Sequence, residues 1–558
     1  MRILAVGLAL IFGVMSGVGP AAAEDFTPPK AVSFSPDWAA ARAALTSGSD
    51  DGIDRLTERT AALAARFPAI TDSPVPVLLP LAAAGEDEIA PPFEHGDFFQ
   101  AGPTGYDATF LVRTRDHREF DDINLIHPVG VQISGFAMLY DLPDANGAIA
   151  QPAGAAEQSF PGIRKQILES TLRYSFERFG IPYVVSIQCF DGQQTRTRLS
   201  CRNADRIAQR FLQTLRLAGG NPNAAMATTP VQTIERPEQE SSVFTYHAAG
   251  DLLPGTAMRA VIGDADHTVY ARIRFPTASA PAFANSQSFM HGGDCNQTGS
   301  SRAANGYRCR LTGKQLFRDE STAENYAYPW RDNFCENRHY FVGRCPAGLG
   351  HQGVDIRPAS CTTTDTNNTR CQPYQHGVVA VRDGMIQREA WQAAFSLDVN
   401  APGERIRFRY LHMNPGKLDE DGVISGRKVA EGEPLGLIGN FNRRPGWTTA
   451  HLHFEIQVPT RDGWVRVNPY TTLVASYEHL IGARGRLITD EHTASTELDA
   501  SDSHASAAAK TPRSTKSKAA KAKAAKSKAA RTKGKSKASK ARHHGSAKAH
   551  KSRGKKRR

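Results

Sequence analysis

Two short runs that lie far apart in the chain, Gly350–Ile356 and Ala450–Ile456, constrain its fold more than any other feature. The first run contains the pattern H-x-x-x-D, and the second contains H-x-H. Two imidazoles and one carboxylate suffice to bind a zinc ion with an open position for water, and one imidazole is left over for chemistry. If the runs form such a site, the fold must bring them together. The candidate residues are His351, Asp355, His451 and His453.

Neither run is specific when taken alone, because H-x-x-x-D also occurs at His117/Asp121 and His247/Asp251 and the chain contains 18 histidines. The second run leads into Leu452–Val458, where apolar and polar residues alternate, which predicts a β-strand. Side chains of a strand alternate between its faces, so His451 and His453 point the same way. Two imidazoles on one face are costly to bury in an apolar layer. The alternative is a pair of structural histidines with ordinary hydrogen bonds.

A third segment, Tyr410–Met413, lies between the two runs and adds His412. In this order the three segments resemble the lysostaphin-like (LytM-type) zinc endopeptidases, whose pattern is H-x-x-x-D, then tyrosine-x-histidine, then H-L-H-F-E. The stretches Val378–Ile386 and Glu433–Gly439 also resemble a strand-turn-strand and a hairpin of that family. The resemblance covers about residues 280–472. It implies a mainly antiparallel β domain that hydrolyses peptide cross-links of bacterial peptidoglycan.

Carried over position by position, the resemblance implies a role for each residue. His351, Asp355 and His453 would bind one Zn²⁺ per catalytic domain, and His412 and His451 would be the catalytic imidazoles that are not ligands. Zinc lowers the pKa of its water to about 7. One neutral histidine can accept a proton, while a second stabilises the oxyanion or protonates the leaving amine. The sequence does not assign these two tasks, and it identifies no substrate-binding residue.

The chain departs from the family pattern in two loops that would border the groove. They are the cysteine-bounded segment Cys361–Cys371 and the segment Asn440–Thr449. These departures leave the choice of substrate open. Because no expected ligand is missing, an active enzyme is favoured over a non-catalytic relative.

The end of the chain differs in kind from the rest. Residues 510–558 contain 21 Lys and Arg and no Asp or Glu, whereas residues 1–509 contain 47 basic and 56 acidic residues, a net charge of −9. Such a segment cannot form a core and is predicted to be disordered. It would bind polyanions, either nucleic acid or, in an exported protein, lipopolysaccharide, anionic lipid or the carboxylates of the cell wall. The alternative is a tail that only keeps the protein soluble or that binds the acidic body of the chain.

The beginning of the chain predicts export. Met1–Ala23 has one arginine, an apolar stretch and three alanines before Glu24, which is typical of a secretory signal peptide. An uncleaved membrane anchor is the alternative. Eight cysteines in an exported chain indicate disulfides and favour a periplasm or cell envelope. The expected local pairs are Cys189–Cys201, Cys295–Cys309, Cys335–Cys345 and Cys361–Cys371.

The length of 558 residues predicts several domains and tails. We expect a signal peptide at 1–23, an α+β domain of unknown role at 24–218, a linker at 219–256, a mainly antiparallel β zinc endopeptidase domain with a cysteine-rich insert at 257–475, a second linker at 476–509 and a disordered basic tail at 510–558. The insert 291–345 could cover the groove, and His291, His339 or His376 could line the groove. Ordinary surface histidines are the alternative.

Periodicity predicts the elements before the first run. Two helical stretches are expected within Trp38–Phe67. Amphipathic helices are expected at Gly162–Phe179 and Arg202–Leu217. The expected strands are Thr109–Arg113, Val131–Tyr140, Pro182–Gln188, Ala257–Ile262 and Thr268–Phe275.

Three functions compete. The first is an exported zinc endopeptidase that hydrolyses peptide cross-links of peptidoglycan, at a D-alanyl–diaminopimelate bond or at a glycine bridge. The second is a non-catalytic, zinc-containing regulator that binds the wall with the same fold. The third is a DNA-binding basic protein with an incidental metal site, which requires residence in the cytoplasm, because nucleic acid is not the partner of an exported chain.

Overall fold

In a computed structural model of the protein, the described residues are 26–45, 52–82, 88–226, 234–252, 263–284, 328–336, 338, 340–358, 373–388, 393–442, 444–446, 448 and 450–488. Several predictions lie outside these residues. They concern the signal peptide 1–23, the strand Ala257–Ile262, the pairs Cys295–Cys309 and Cys361–Cys371, most of the insert with His291 and His339, and the basic tail 510–558.

The first part of the chain combines one large sheet with short helices. Its elements are β1 (Ala31–Ser33), α1 (Trp38–Ala43), α2 (Gly52–Ala64), β2 (Val77–Pro80), β3 (Phe93–Gly102), β4 (Gly105–Val112), β5 (Val129–Phe136), β6 (Met138–Tyr140), β7 (Ile149–Gln151), α3 (Ala156–Ser159), β8 (Arg164–Leu168), β9 (Thr171–Arg178), β10 (Ile181–Gln188), α4 (Cys201–Thr214) and β11 (Leu215–Gly219). Seven strands form an antiparallel sheet in the order β3-β4-β5-β10-β9-β8-β7, which we call the N-terminal sheet.

Helix α4 covers one face of this sheet. The hydroxyl of Ser200 caps it by accepting a hydrogen bond from the amide of Asn203, and its buried residues include Ile207 and Phe211. This apolar stripe packs on β9 and β10. The predicted helices within Trp38–Phe67 and at Arg202–Leu217 are confirmed, except that β11 replaces the end of the latter.

The predicted helix Gly162–Phe179 is wrong, because this segment forms the antiparallel hairpin β8–β9. Glu169 and Ser170 occupy its turn with φ values of 52° and 57°, the left-handed conformation of a two-residue hairpin turn. Both faces of β9 are covered, and even Arg173 is buried. A strand that is buried on both faces cannot be distinguished from a buried helix by periodicity alone.

The second part of the chain is built around another antiparallel sheet. Its elements are β12 (Glu240–His247), β13 (Ala282–Ala284), β14 (Val354–Pro358), β15 (Gly377–Val379), β16 (Gly384–Arg388), β17 (Ala394–Ala401), β18 (Glu404–Leu411), α5 (Pro415–Glu420), β19 (Lys428–Val429), β20 (Pro434–Leu437), β21 (Phe441–Asn442), β22 (Arg444–Pro445), β23 (Leu452–Thr460), β24 (Gly463–Val467), α6 (Tyr470–Ile481) and β25 (Arg484–Ile488). The order is β13-β14-β23-β18-β17-β16-β19, with β24 paired to β23, and we call this the C-terminal sheet.

Alternation along the central strands gives the C-terminal sheet two different faces. Phe408, Phe454 and Ile456 point into the hydrophobic core. The residues between them on β18 and β23, among them Arg407 and Glu455, point to the opposite face. The predicted strand Leu452–Val458 is confirmed as part of β23.

Both predicted linkers contain regular structure. In the segment 219–256, β12 pairs in parallel with β25, and the segment 476–509 begins inside α6 and includes β25. The ring of Phe244 in β12 packs edge-to-face against Tyr477 of α6, with the ring centroids 4.8 Å apart. Burial of these aromatic side chains stabilises regular structure here, although the composition of the segment is polar. The predicted strand Thr268–Phe275 is wrong: the apolar residues of this segment are buried, but it makes only an isolated bridge at Thr268.

The N-terminal sheet contacts the charged face of the C-terminal sheet. The hydroxyl of Thr104 donates to Asn400 Oδ1 at 2.6 Å. Arg405 forms an ion pair with Asp107, and both side chains are fully buried. All described residues belong to one compact unit that ends at Asp499.

Two disulfides lie in the described part of the chain. They are Cys189–Cys201 and Cys335–Cys345, and both predicted pairs are confirmed. Among the described residues, none of the helices combines the length and the apolar composition that crossing a bilayer requires.

Candidate metal centre

Three neighbouring strands bring the candidate residues together. Asp355 of β14 lies opposite His453 of β23, and His453 also lies opposite the last residue of β18. His351 comes just before β14, His412 just after β18 and His451 just before β23. The three segments singled out in the sequence therefore meet around His453.

Two glycines permit the close packing of these segments. A Cβ atom on Gly353 would lie 2.3 Å from the carbonyl oxygen of Phe454, so a side chain would separate β14 from β23. A Cβ atom on Gly439 would lie 2.4 Å from the carbonyl oxygen of His412. His412 itself has a φ of 72°, which is rare for a residue with a side chain and is typical of functional positions.

The side chains of His351, Asp355 and His453 form a buried cluster whose potential ligand atoms all lie within 4.8 Å of one another. His453 Nδ1 is 3.0 Å from Asp355 Oδ1 and 3.0 Å from His351 Nε2. The other carboxylate oxygen of Asp355, Oδ2, is buried and has no hydrogen-bond partner among the described residues. A buried carboxylate oxygen without a partner is costly unless a cation satisfies it.

A hydrogen bond fixes the orientation of His351. Its Nδ1–H donates to the carbonyl oxygen of Asn333 at 2.9 Å, which leaves Nε2 as the atom that faces the cluster. The backbone around it is held by the segment that carries the Cys335–Cys345 disulfide. The amide of Cys335 donates to the carbonyl of His351 at 3.0 Å, and the amide of His351 donates to the carbonyl of Glu336 at 2.7 Å.

Glu455 orients His453 in the same manner. His453 Nε2–H donates to Glu455 Oε1 at 3.2 Å. Arg409 Nη1 donates to the same carboxylate at 2.8 Å, and Arg466 Nε donates at 2.7 Å. Burial alone would raise the pKa of Glu455, but the two guanidinium groups keep it well below its ordinary value. A carboxylate that accepts from the outer nitrogen of a histidine is the usual support of a metal ligand.

The charges of the cluster favour a cation at its centre. Burial raises the pKa of Asp355, but the neighbouring imidazoles of His351 and His451 outweigh burial and hold that pKa well below its ordinary value. Burial lowers the pKa of His453, but its bonds to Asp355 and Glu455 outweigh burial and raise it. Two ionised carboxylates therefore stabilise positive charge on the two sides of the His453 ring, Asp355 at Nδ1 and Glu455 at Nε2.

His412 and His451 lie beside the cluster with their ring centroids 4.5 Å apart. His412 Nδ1–H donates to the carbonyl oxygen of Phe441 at 2.9 Å, so its Nε2 is available as a base. His451 Nε2 is 3.4 Å from Asp355 Oδ1. Burial, helped by the charge of His453, lowers the pKa of His412 to about 4, and burial lowers the pKa of His451 well below its ordinary value. Both imidazoles are therefore neutral at neutral pH.

The donor set fits zinc. Two imidazole nitrogens and one carboxylate oxygen are the ligands of a catalytic zinc site, whereas calcium and magnesium prefer oxygen ligands alone. The unsatisfied Oδ2 of Asp355 supports the same assignment. The residues that would hold the ion are His351, Asp355 and His453, the three that the sequence predicted as ligands.

Other histidines share the H-x-x-x-D spacing or were predicted to line the groove. Where the structure describes them, they lie outside the metal cluster. His247 and Asp251 form an ion pair of 3.0 Å, and Arg331 Nη2 lies 2.9 Å from His247 Nε2, so a guanidinium occupies the position that a metal would take. His117 is partly exposed, in agreement with a surface loop. His376 is not a member of the cluster in the described part of the chain.

Sequence reasoning missed the residues that support the ligands. Glu455 could have been found, because it follows His451 and His453 at the same two-residue period and must lie on their face of the strand. Asn333 and Arg466 carry no such signal, because only the tertiary structure places them beside the site.

The comparisons with known proteins find a partial likeness. No protein-family model and no curated protein matches the chain. Among solved structures, a protein from Ruminococcus gnavus described as a glycyl-glycine endopeptidase lytM is 23% identical with a TM-score of 0.18, over 25% of this chain and 51% of that protein. The antimicrobial peptidase lysostaphin from Staphylococcus simulans is 20% identical with a TM-score of 0.17, over 23% of this chain and 45% of lysostaphin. The chain thus spans about half the length of the solved structures that it matches.

Proposed function

We propose that this protein is a zinc-dependent endopeptidase that hydrolyses peptide cross-links of bacterial peptidoglycan. One observation carries the proposal: the ligand atoms of His351, Asp355 and His453 converge within 4.8 Å, with the imidazoles of His412 and His451 beside them. A structural zinc site has four protein ligands and needs no additional imidazoles, whereas a hydrolytic site has three ligands and a base.

The chain's own residues supply the remaining functions of such a site. A bound zinc ion supplies Lewis-acid chemistry that activates water and polarises a carbonyl group. His412 Nε2 can accept a proton, because its Nδ1–H is engaged by Phe441 and its pKa of about 4 keeps the ring neutral. His451 lies beside the cluster, with its Nε2 3.4 Å from Asp355 Oδ1. Its imidazole can donate to the substrate oxygen that gains negative charge.

Features of the sequence and the structure support a proposal for the substrate and the compartment. The motif order resembles enzymes of the cell wall, and the two disulfides fit an oxidising compartment such as a periplasm. We propose the D-alanyl–diaminopimelate cross-bridge as the bond that is cleaved. The basic tail 510–558 would hold the enzyme near the acidic wall.

The test is mass spectrometry of muropeptides from purified sacculi incubated with the protein, with and without a chelator. We expect conversion of cross-linked dimers to monomers that stops when the metal is removed. His453→Ala should abolish zinc binding and conversion together, whereas His117→Ala, which has the same sequence spacing at a surface position, should change neither. Conversion that persists in the chelated protein would refute the proposal.

A wall-binding regulator is the second candidate, and one observation favours it. The N-terminal sheet packs on the face of the C-terminal sheet that carries the metal cluster, with the turn residue Glu169 in contact with Arg466 at 3.2 Å. A covered face could bind the wall without turnover. Zinc-loaded protein that sediments with sacculi and leaves the muropeptide profile unchanged would support this candidate.

A further inference from the structure

A cavity of about 550 Å³ lies between the N-terminal and C-terminal sheets. One wall is formed by strands β4, β5, β9 and β10, and the other by β16, β17, β18, β23 and β24. It opens to solvent, because lining residues such as Gln188 and Arg196 are exposed. Six of its lining residues are arginines, and we call it the arginine cavity: Arg173, Arg196, Arg388, Arg407, Arg409 and Arg466.

The lining is strongly unbalanced in charge. Against the six arginines, Glu169 is the acidic side chain among the described residues of the wall. Most of these arginines are paired with carboxylates: Glu455 binds Arg409 and Arg466, Asp398 binds Arg407, Glu169 binds Arg173, and Asp419 binds Arg388. Four carboxylates thus face six guanidinium groups. The arrangement still leaves an excess of positive charge at a concave surface, where field lines are focused.

Two buried donors in the wall lack acceptors. Arg407 is 7% exposed, and its Nη2 has no hydrogen-bond partner among the described residues. Trp464 is also 7% exposed, and its indole Nε1–H is likewise without a partner in that part of the chain. Buried donors of this kind are rare, because each costs about 1–3 kcal/mol when it is left unsatisfied. Both are donors only, so the group that would satisfy them must be an acceptor.

Contacts with neighbouring side chains already fix the orientation of the Arg407 guanidinium. Its Nε donates to Asp398 Oδ1 at 2.7 Å, and its guanidinium lies 4.2 Å from the centre of the Trp464 ring. These contacts fix the plane of the guanidinium, so little side-chain entropy is lost when a ligand binds. The unsatisfied Nη2 of Arg407 and the Nε1–H of Trp464 are two donor groups, and a carboxylate offers two acceptor oxygens.

The arginine cavity and the metal cluster share one face of the C-terminal sheet. On β23, His453, Glu455 and Gln457 follow each other at a period of two, and Gln457 lies opposite Arg407 on β18. The four residue steps from His453 to Gln457 span about 13 Å along the strand. An extended peptide of about four residues covers the same distance. A peptide cleaved at the metal cluster therefore has the length to place a charged group at Arg407.

We propose that the arginine cavity binds carboxylate groups of the peptide whose cross-link is cleaved at the metal cluster, an inference that rests on the proposed function. Arg407 and Trp464 would bind the carboxylate directly, and the exposed Arg196 would attract it from solvent. The cavity would thereby select peptides with free carboxylates over peptides in which these groups are amidated.

The first test measures binding without turnover. Isothermal titration calorimetry on chelated full-length protein would use a cross-linked peptide dimer with free carboxylates, the same dimer with its carboxylates amidated, and inorganic phosphate. We expect the free dimer to bind about 10- to 100-fold more tightly than the amidated dimer, as the loss of a charged hydrogen bond predicts. Tighter binding by phosphate than by the free dimer would overturn the assignment to peptide carboxylates.

Variants assign the binding to this cavity. Arg407→Gln should weaken binding of the free dimer about 10- to 100-fold. Trp464→Phe, which keeps an aromatic ring but removes the N–H together with the five-membered ring, should weaken it about 2- to 10-fold. Trp464→Phe keeps the test decisive if Arg407→Gln does not fold. The matched control is Arg202→Gln, because Arg202 is exposed on α4 and does not line the cavity; unchanged binding is expected there, and equal losses in all three variants would overturn the proposal.

The second test separates this inference from the proposed function. In zinc-loaded protein, Arg407→Gln should raise KM for the free dimer and leave KM for the amidated dimer unchanged. If wild-type protein binds the free dimer selectively but never cleaves it, the carboxylate site stands and the endopeptidase fails. If wild-type protein cleaves both dimers with the same KM, the endopeptidase stands and the carboxylate site fails.

Discussion

Replacement of Glu455 by glutamine tests whether the structure around His453 supports a metal. The carboxylate of Glu455 is fully buried and accepts from His453 Nε2 at 3.2 Å, from Arg409 at 2.8 Å and from Arg466 at 2.7 Å. Glutamine keeps the shape but loses the negative charge and turns one acceptor into a donor. The histidine becomes a poorer ligand, and two guanidinium groups lose their counter-charge.

Two magnitudes follow for Glu455→Gln. Loss of the partner that supports a ligating histidine costs about 10- to 100-fold in metal affinity, or about 1.4–2.8 kcal/mol. The broken ion pairs should also lower the free energy of unfolding by about 3–5 kcal/mol, because charges that remain buried are left uncompensated. Zinc affinity is measured by competition with a chromogenic chelator, and stability is measured by urea unfolding of the metal-free protein.

Glu404→Gln is the matched control. Glu404 is also buried in the C-terminal sheet, and Arg382 Nη2 lies 2.5 Å from its Oε2, but it has no contact with the metal cluster. The control should lose stability and retain the zinc affinity of the wild type. Equal zinc affinity in wild type, control and Glu455→Gln would refute the argument that Glu455 acts through His453.

Three further predictions concern the first part of the chain and its contacts with the second part. Arg405→Met should lower the free energy of unfolding by about 3–5 kcal/mol in urea titrations, because it leaves the buried carboxylate of Asp107 unpaired; unchanged stability would contradict the ion pair. Loss of the Cys189–Cys201 disulfide in the double alanine variant should cost about 2–4 kcal/mol in the same assay, and unfolding that does not respond to a reductant in the wild type would contradict it. Glu169→Gln should weaken zinc binding, but by less than Glu455→Gln, because it is two contacts further from the ligand; a larger effect in the chelator competition would contradict that order.

The candidate site was predictable because its signal is local. The pattern H-x-x-x-D gives one pair of candidates, and the alternation in β23 places His451 and His453 on one face, so four candidate residues could be named without knowing the path of the chain. The fifth, His412, comes from the resemblance to the lysostaphin-like family. The spacing H-x-x-x-D alone does not identify a metal site. At His247 and Asp251 the same pattern serves an ion pair with Arg331.

The rest of the fold depends on contacts that no local pattern encodes. Strand β9 of the hairpin β8–β9 is buried on both faces, so its sequence lacks the two-residue alternation of a strand and resembles that of a buried helix. The segment around β12 has a polar composition, which predicted a linker. It forms a strand because Phe244 and Tyr246 pack in the hydrophobic core beside α6. In both cases a partner distant in sequence decides the local structure, and a single sequence does not contain that partner's position.

The first part of the chain reaches the metal centre through three successive polar contacts. Glu169 Oε2 accepts from Arg466 Nη1 at 3.2 Å, Arg466 Nε donates to Glu455 at 2.7 Å, and Glu455 accepts from His453 at 3.2 Å. Glu169 also accepts from the amide of Gly343, which belongs to the disulfide-bounded segment that holds His351. One turn of the N-terminal sheet thus contacts the supports of both histidine ligands. The metal centre and the contact between the two sheets therefore share one hydrogen-bonded network. A substitution that weakens the contact between the sheets should also lower the affinity of the metal centre for zinc.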